Sequence, residues 1–391
     1  MNVLLTCVVG YGHFHPMVPL GRALRDAGHT VAVATDPSFC AYVERVGFEA
    51  HPAGLDQPVA RARFLAAVPD LEEIPITGRM AVTQAVMFGR TRVPPMLDDL
   101  ARIIAAVKPN LLIHDSLEMA GAIAAEAAGL PHAEHAVGLL RPAIARQAAT
   151  DAVAPFSDAL GLRNPGVGGN RGELYLDICP PGIQHAEIAE VENVQPMRPM
   201  TVEAGRDREL PTWLGQRPDR PMIYVTMGTV FNEAIDVFRT ILAGLAGEPF
   251  EVVVTVGEDG DPEALGTQPS NVHVERWVPQ AALLPHCALL ISHGGSGAMI
   301  GALNAGVPML AVPQGADQFF NADRIVTTGV GLRLLPDEMT AEAVRDRARR
   351  LVGDRSYRDA AVAERNAIES MPTPAEVVPL LEAYAQRGAA S

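Results

Sequence analysis

Residues 277–321 contain two strand–loop–helix units in succession. Cys287–Ser292 (CALLIS) is a short apolar run with the length of a buried strand. It ends at the glycine-rich segment His293–Gly297 (HGGSG), and a helical pattern follows over Ala298–Ala305. A second strand is predicted over Val307–Pro313. Two such units side by side predict a parallel sheet with helices packed on it.

The glycine-rich segment is typical of an anion-binding loop. A strand that leads through a tight loop into a helix places free backbone N–H groups and the positive helix end at one point. Glycines allow close approach of the backbone, and His293 and Ser296 add side-chain donors. The segment therefore predicts a site for a phosphate or diphosphate.

Three motifs in a fixed order carry a family resemblance. They are GHFHP (Gly12–Pro16), WVPQ (Trp277–Gln280), and HGGSG followed by Asp317 and Gln318. With them the chain resembles the nucleotide-sugar-dependent glycosyltransferases of the GT-B fold, in particular the bacterial enzymes that modify antibiotics and other natural products. The resemblance covers nearly the whole chain. It implies an α/β fold of two doubly wound, Rossmann-like domains facing across a cleft.

The division into domains agrees with the strand–helix alternation, which stops at a proline-rich stretch and then restarts. A length of 391 residues is also enough for two domains. We expect an N-terminal acceptor-binding domain over 1–196, a linker over 197–220, a nucleotide-sugar-binding domain over 221–372 and a C-terminal helix over 373–391. The resemblance implies that this helix packs back on the N-terminal domain.

Further strands are predicted from short apolar runs bounded by turn residues. Segments 54–92 and 151–172 show no clean period and predict no single element, and 192–221 is interpreted as linker. The predicted strands are Val3–Val9, Thr30–Thr35, one near Phe48, Asn110–Asp115, Leu130–Ala136, Pro221–Met227, Glu251–Val256 and Asn271–Trp277.

Charge and composition narrow the partners. The 31 basic and 46 acidic residues give a net charge of −15, which disfavours nucleic acid and anionic membranes. The four cysteines lack metal-site spacing, and no apolar run reaches the ~18 residues of a membrane span. We expect a cytoplasmic protein whose partners are a nucleotide-sugar donor and a small hydrophobic acceptor. The assembly state is open, with a homodimer as one option.

Transfer of a sugar to a hydroxyl requires a base, and His13 and Asp115 are the candidates. Imidazole titrates near ~6.5 in water and is activated when a carboxylate holds its other nitrogen. His13 follows the first strand and Asp115 ends a later strand at the same sheet edge. The resemblance assigns the base to His13 and its partner to Asp115. His15 is the rival base, and a plain loop histidine is the alternative for His13.

The resemblance also assigns the donor contacts. Trp277 would stack on the nucleotide base, although a tryptophan there also suits a core. Asp317 and Gln318 would bind sugar hydroxyls, with a helix N-cap as the alternative for Asp317. The assigned donor-binding residues are Gly228, Thr229, Trp277, Val278, Gln280, His293, Gly295, Ser296, Gly297, Asp317 and Gln318.

No metal and no other cofactor is expected. Asp259-Gly260-Asp261 imitates the metal-binding DxD of other glycosyltransferases but is interpreted as a solvated turn. One departure from the family concerns the donor: Gly301 stands where plant members carry a glutamate that binds the ribose hydroxyls of UDP. That departure predicts a dTDP donor, which lacks the 2′-hydroxyl.

The acceptor site is predicted from apolar and methionine-rich segments. Core packing is an equal alternative for these side chains. The candidates are Phe64, Met80, Met87, Phe88 and His135.

These assignments predict an inverting glycosyltransferase that moves a deoxysugar from a dTDP-sugar to a hydroxyl of a natural-product aglycone. The alternatives are a nucleotide-sugar 2-epimerase of the same fold and a non-catalytic auxiliary partner of a glycosyltransferase. A dinucleotide oxidoreductase is a further alternative, because Gly10, Gly12 and Asp36 partly imitate a Rossmann fingerprint.

Overall fold

The chain forms two compact α/β units. The first comprises Met1–Cys179, Gln184–Gly205 and Met371–Ser391, and the second comprises Pro180–Ile183 and Arg206–Ser370. The computed structural model describes residues 1–162, 173–201, 209–216, 220–228, 235–258 and 260–388.

The first unit is built on a seven-stranded sheet whose paired strands all run parallel. Its strands are β1 (Asn2–Thr6), β2 (Thr30–Thr35), β3 (Glu49–Pro52), β4 (Leu111–Asp115), β5 (His132–His135), β6 (Leu174–Asp177) and β7 (Val194–Pro196). They lie in the order β3-β2-β1-β4-β5-β6-β7. The helices between them are α1 (Tyr11–Phe14), α2 (Val18–Asp26), α3 (Cys40–Val46), α4 (Gln57–Ala67), α5 (Ile76–Thr83), a π-helical segment (Gln84–Thr91), α6 (Val93–Val107), α7 (Ala120–Ala127) and α8 (Ala143–Ala159).

The second unit repeats the plan with a six-stranded parallel sheet. Its strands are β8 (Met222–Thr226), β9 (Glu251–Thr255), β10 (Val272–Glu275), β11 (Leu289–Ser292), β12 (Met309–Ala311) and β13 (Gly331–Arg333). They lie in the order β10-β9-β8-β11-β12-β13. The described helices are α9 (Ile235–Leu245), α10 (Gln280–Leu283), α11 (Ser296–Ala305), α12 (Gln318–Thr327), α13 (Ala341–Gly353) and α14 (Arg355–Ser370).

The last helix, α15 (Pro374–Gly388), belongs to the first unit. It packs against α2. The hydroxyl of Tyr384 donates to the carbonyl of His132 at 2.9 Å, and Glu382 lies 2.9 Å from Nε2 of His29. Helix α15 is thereby fastened to both β5 and the turn that precedes β2.

Each sheet has one point at which the strand order reverses. The chain moves outward from β1 through β2 to β3 and then returns to place β4 beside β1 on the other side. The second unit does the same with β8 and β11. The loops that follow two adjacent strands diverge at such a point, and a crevice opens at their carboxyl ends.

The predicted long apolar strands are confirmed, β2 with the predicted bounds and the others with shorter ones, and the differences lie in short or amphipathic elements. Strands β6 and β13 were not predicted, and β7 lies inside the stretch interpreted as linker. Helix α8 begins in front of segment 151–172, where the sequence predicts no single element. Strands of three or four residues offer too few positions for a periodic pattern to be detected. Among the described residues, no helix is long and apolar enough to cross a membrane.

One prediction concerns buried histidine in the first sheet. His114 on β4 is buried, and its Nε2 lies 3.4 Å from Nδ1 of His132. Burial is the larger cause and repulsion from His132 the smaller, and together they lower the pKa of His114 from 6.5 to about 3. Between these two values the unfolded chain binds a proton at this site that the folded chain does not bind. Stability must therefore fall as the pH drops through that window.

His114→Gln should remove roughly 1.4 kcal/mol per pH unit of that loss between about pH 4 and 6. Urea unfolding at several pH values measures the slope. The exposed His286 provides the control variant His286→Gln. An unchanged slope in His114→Gln would show that the ring takes up its proton in the folded chain.

Candidate functional site

The reversal point of the first sheet brings His13 and Asp115 together. His13 lies on α1 directly after β1, and Asp115 is the last residue of β4. Nδ1 of His13 is 3.3 Å from Oδ1 of Asp115, with the histidine side chain 21% exposed and the carboxylate fully buried. The imidazole ring therefore lies between solvent and the buried carboxylate.

Three backbone N–H groups orient that carboxylate. Val8 donates to Oδ2 at 2.8 Å, while Leu117 and Glu118 donate to Oδ1 at 2.6 and 3.2 Å. Burial by itself would raise the pKa of Asp115, but His13 and the N–H groups of Leu117 and Val8 outweigh it, so the pKa is lowered. Asp115 is thus an ionised and immobile partner for the imidazole.

This geometry fixes how the imidazole can act. A proton on Nδ1 of His13 faces the carboxylate, which leaves Nε2 with a lone pair. The second histidine of the motif differs, because Nε2 of His15 lies 2.7 Å from the hydroxyl of Tyr42. Of the two rings, His13 has the arrangement of a carboxylate-supported base.

The predicted acceptor residues fall in different environments. Phe64 and Met87 are buried in one small apolar cluster, and Met80 is half-buried on α5. His135 is fully buried, its Nδ1 lies 2.7 Å from the carbonyl of Ala136, and burial lowers its pKa to about 4. Phe88, in the π-helical segment, has its ring centroid 6.4 Å from that of His13. The ring of Phe88 therefore lies next to that of the candidate base.

Phe88 also lines a narrow pocket beside the dyad. Its walls include Val8 and Leu117, whose N–H groups hold Asp115, together with Asp36 and Arg92. Nη1 of Arg92 lies 2.9 Å from Oδ2 of Asp36, and both side chains are buried. Asp36 is therefore committed to an ion pair, which removes the carboxylate on which the oxidoreductase alternative depended.

The reversal point of the second sheet collects the HGGSG residues and Gly228. A Cβ on Gly228 would lie 2.5 Å from Cε1 of His293, and one on Gly295 would lie 2.3 Å from Nε2. The ring thus occupies a slot between two glycines, one from the loop after β8 and one from the loop after β11. Burial lowers the pKa of His293, although the charge of Asp317 opposes this.

The first turns of α11 and α12 are joined by side chains. The hydroxyl of Ser296 donates to Oδ2 of Asp317 at 2.9 Å, and the amide of Asn321 donates to the same oxygen at 3.0 Å. Asp317 stands at the N-cap position of α12, but its side chain makes no capping bond there. The amide oxygen of Gln318 accepts the N–H groups of Gln314 and Gly315 at 2.7 and 3.0 Å.

The WVPQ segment lies at the start of α10. Trp277 is half-buried, Val278 is 2% exposed, and Gln280 is the first residue of the helix. A Cβ on Gly301 would meet Nε2 of Gln280 at 2.5 Å, so the amide of Gln280 occupies the space above that glycine.

Two predictions fall on residues outside the described part. Thr229 and Asp259 both lie there, so the predicted donor contact of Thr229 has no structural account. Gly297 is exposed at the start of α11. No cluster of three or more potential metal ligands is found among the described residues.

Comparisons with known proteins cover both units. The model of the erythromycin biosynthesis protein CIII-like N-terminal domain matches residues 22–228, and that of the C-terminal domain matches 239–384. The L-demethylnoviosyl transferase of Streptomyces niveus is 34% identical over 387 residues, which cover 96% of each chain. The chain belongs to the EryCIII-like family. It is a bacterial natural-product glycosyltransferase.

Further relatives of this EryCIII-like glycosyltransferase agree in fold and class. The aklavinone 7-beta-L-rhodosaminyltransferase of Streptomyces galilaeus is 32% identical and covers 98% of this chain, or 95% of its own. The crystal structure of the glycosyltransferase VinC in complex with dTDP superimposes with a TM-score of 0.81 at 27% identity, covering 99% of this chain and 100% of VinC. The two parallel-sheet units are therefore those of the GT-B fold, as predicted.

The slot around His293 predicts opposite changes in the free energy of unfolding for alanine at two glycine positions. Gly295→Ala should lower the free energy of unfolding by about 1–3 kcal/mol, because the new methyl group overlaps the His293 ring. Gly297→Ala should raise it by about 0.5–1 kcal/mol, because a Cβ there meets nothing within 4 Å and alanine favours a helix. Chemical denaturation of both variants measures the difference. Equal effects at the two positions would contradict the packing role of Gly295.

Proposed function

We propose that this EryCIII-like glycosyltransferase moves a deoxysugar from a dTDP-sugar to a hydroxyl of a hydrophobic natural-product aglycone, with inversion at the anomeric carbon. The observation that carries the proposal is the His13–Asp115 pair, in which a buried carboxylate held by three N–H groups faces a partly exposed imidazole. In this proposal the first unit binds the acceptor and the second binds the donor.

His13 acts as the general base. As the acceptor oxygen attacks the anomeric carbon, Nε2 of His13 takes the hydroxyl proton and the imidazole becomes charged. Asp115 stabilises that charge through Nδ1 without taking the proton. The bond to the diphosphate breaks as the new glycosidic bond forms on the opposite face. An α-linked donor therefore yields a β-glycoside.

The loop after β11 and the start of α11 stabilise the leaving diphosphate. Ser296 begins that helix, so its first turn presents unbonded N–H groups at the positive helix end. In this proposal the side chains of His293 and Ser296 flank the diphosphate, and Gly295 and Gly297 allow a close approach. These groups carry out the task without a metal ion.

The remaining donor contacts are made by other residues of the second unit. Trp277 stacks on the base, the backbone of Val278 recognises its edge, and Asp317 and Gln318 bind the sugar. VinC was crystallised in complex with dTDP, and Gly301 of the present chain offers no carboxylate to a ribose 2′-hydroxyl. Both observations favour dTDP over UDP.

Removal of the base should separate chemistry from binding. His13→Ala and Asp115→Asn should each lower kcat by about 10²–10⁴-fold while dTDP affinity stays unchanged, because neither residue belongs to the donor site. His15→Ala is the matched control and should retain transfer, since His15 bonds Tyr42. Product formation from a dTDP-sugar and a phenolic acceptor is followed by chromatography. Full activity in His13→Ala would refute its role as the base.

Nucleotide preference tests the donor. Because a ligand that binds only the folded chain stabilises it, dTDP at a given concentration should raise Tm more than UDP does. UDP brings a 2′-hydroxyl for which Gly301 provides no acceptor. Thermal unfolding with each nucleotide across a concentration series gives the two affinities. A larger shift with UDP would overturn the dTDP assignment.

A further inference from the structure

A buried amide joins the two loops to which the proposed function assigns the donor's diphosphate and sugar. Asn321 lies one turn into α12, and its N–H donates to the carbonyl of Asp317 at 2.9 Å. Its side chain is 0% exposed. Residues four apart on a helix project to the same side, so Asn321 lies beneath Asp317.

The amide nitrogen of Asn321 has three oxygen atoms within reach. It lies 2.9 Å from the carbonyl of Gly294, 3.0 Å from Oδ2 of Asp317 and 3.4 Å from Oγ of Ser296. An NH₂ group has two protons, and the two shorter contacts account for both. Ser296 in turn donates to Oδ2 of Asp317. Oδ2 of Asp317 is therefore held by two side chains, Ser296 from α11 and Asn321 from α12.

The carbonyl side of the same amide indicates why an amide stands here. Oδ1 of Asn321 is buried and has no hydrogen-bond partner among the described residues. A buried acceptor without a partner destabilises a folded chain, and a leucine of similar size would avoid that penalty. The donors on Nδ2 are what an apolar side chain could not supply.

We propose that Asn321 is a positioning residue for donor recognition, which fixes Asp317 relative to the loop after β11 so that diphosphate and sugar are bound in register. The inference rests on the proposed function, because it takes Asp317 as the sugar contact and the HGGSG loop as the diphosphate contact. Asn321 itself touches neither. It acts through Asp317 and the carbonyl of Gly294.

The distinguishing quantity is the ratio of dissociation constants for dTDP and dTDP-glucose. dTDP lacks the glucose that dTDP-glucose carries on its diphosphate, so this ratio isolates the contribution of the contacts to that sugar. Asn321→Leu should weaken the binding of dTDP-glucose by about five-fold or more relative to the binding of dTDP, because Asp317 loses the donor that orients its carboxylate. The affinity for dTDP itself should stay within about two-fold of the wild-type value. Calorimetric titration of the full chain provides both constants.

A matched control is available in the same unit. Nδ2 of Asn271 donates to the carbonyl of Phe250 at 2.8 Å, ahead of β9 and β10 and so at the opposite edge of the sheet. Asn271→Leu removes one such bond and should leave the ratio unchanged. A general loss of stability would affect both leucine variants, whereas a positioning role affects only Asn321.

Two more variants complete the test. Asn321→Ser retains one donor and should give an intermediate ratio, which also covers the case that Asn321→Leu does not fold. Adding Asn321→Leu to Asp317→Ala should cause no further loss of sugar preference, since Asn321 acts through Asp317. A wild-type ratio in both Asn321 variants, or a further loss in the double variant, would overturn the inference. Failure of the wild type to bind either nucleotide would instead overturn the proposed function.

Discussion

Parallel pairing between β1 and β4, and between β8 and β11, is the constraint on which the rest of the structure depends. Parallel strands end at the same edge, so the loops that follow them must meet there. Thr6 pairs with His114, which places the loop carrying His13 beside Asp115. Ser292 pairs with Thr226, which places His293 beside Gly228. The same topology thus brings His13 to Asp115 in one unit and the HGGSG loop to Gly228 in the other.

The entrance to α7 shows how the chain handles two buried carboxyl groups at one place. Asp115 accepts N–H groups from Val8, Leu117 and Glu118, and has His13 as a partner. Glu118 accepts N–H groups from Ala120 and Gly121 and a hydroxyl bond from Thr6, yet burial raises its pKa to about 7. Hydrogen bonds alone do not keep a buried carboxylate ionised here. His13 is the strongest of the influences that lower the pKa of Asp115, whereas the charge of Asp115 adds to burial in raising the pKa of Glu118.

The sequence predicted those parts of the structure that are encoded in contiguous residues. A short apolar run bounded by polar or turn residues marks the end of its own strand, so the positions of His13, Asp115 and His293 at strand ends could be predicted. The ion pair between Asp36 and Arg92 joins residues 56 positions apart, and no local pattern selects that partner. The tie from Asn321 to Gly294 is of the same kind. The π-helical segment that carries Phe88 adds a residue to the helical turn and therefore breaks the 3.6-residue period on which helix prediction depends.

The HGGSG motif illustrates how the interpretation of a sequence can be incomplete. Its glycines were interpreted through the anion alone, because small residues let a phosphate approach the backbone. In the folded chain Gly295 is also required by the His293 ring, which would overlap any side chain at that position, and Gly228 imposes the same limit from the neighbouring loop. Gly297 faces open space instead. The motif therefore contains a glycine that internal packing requires, Gly295, and a glycine that packing does not require, Gly297.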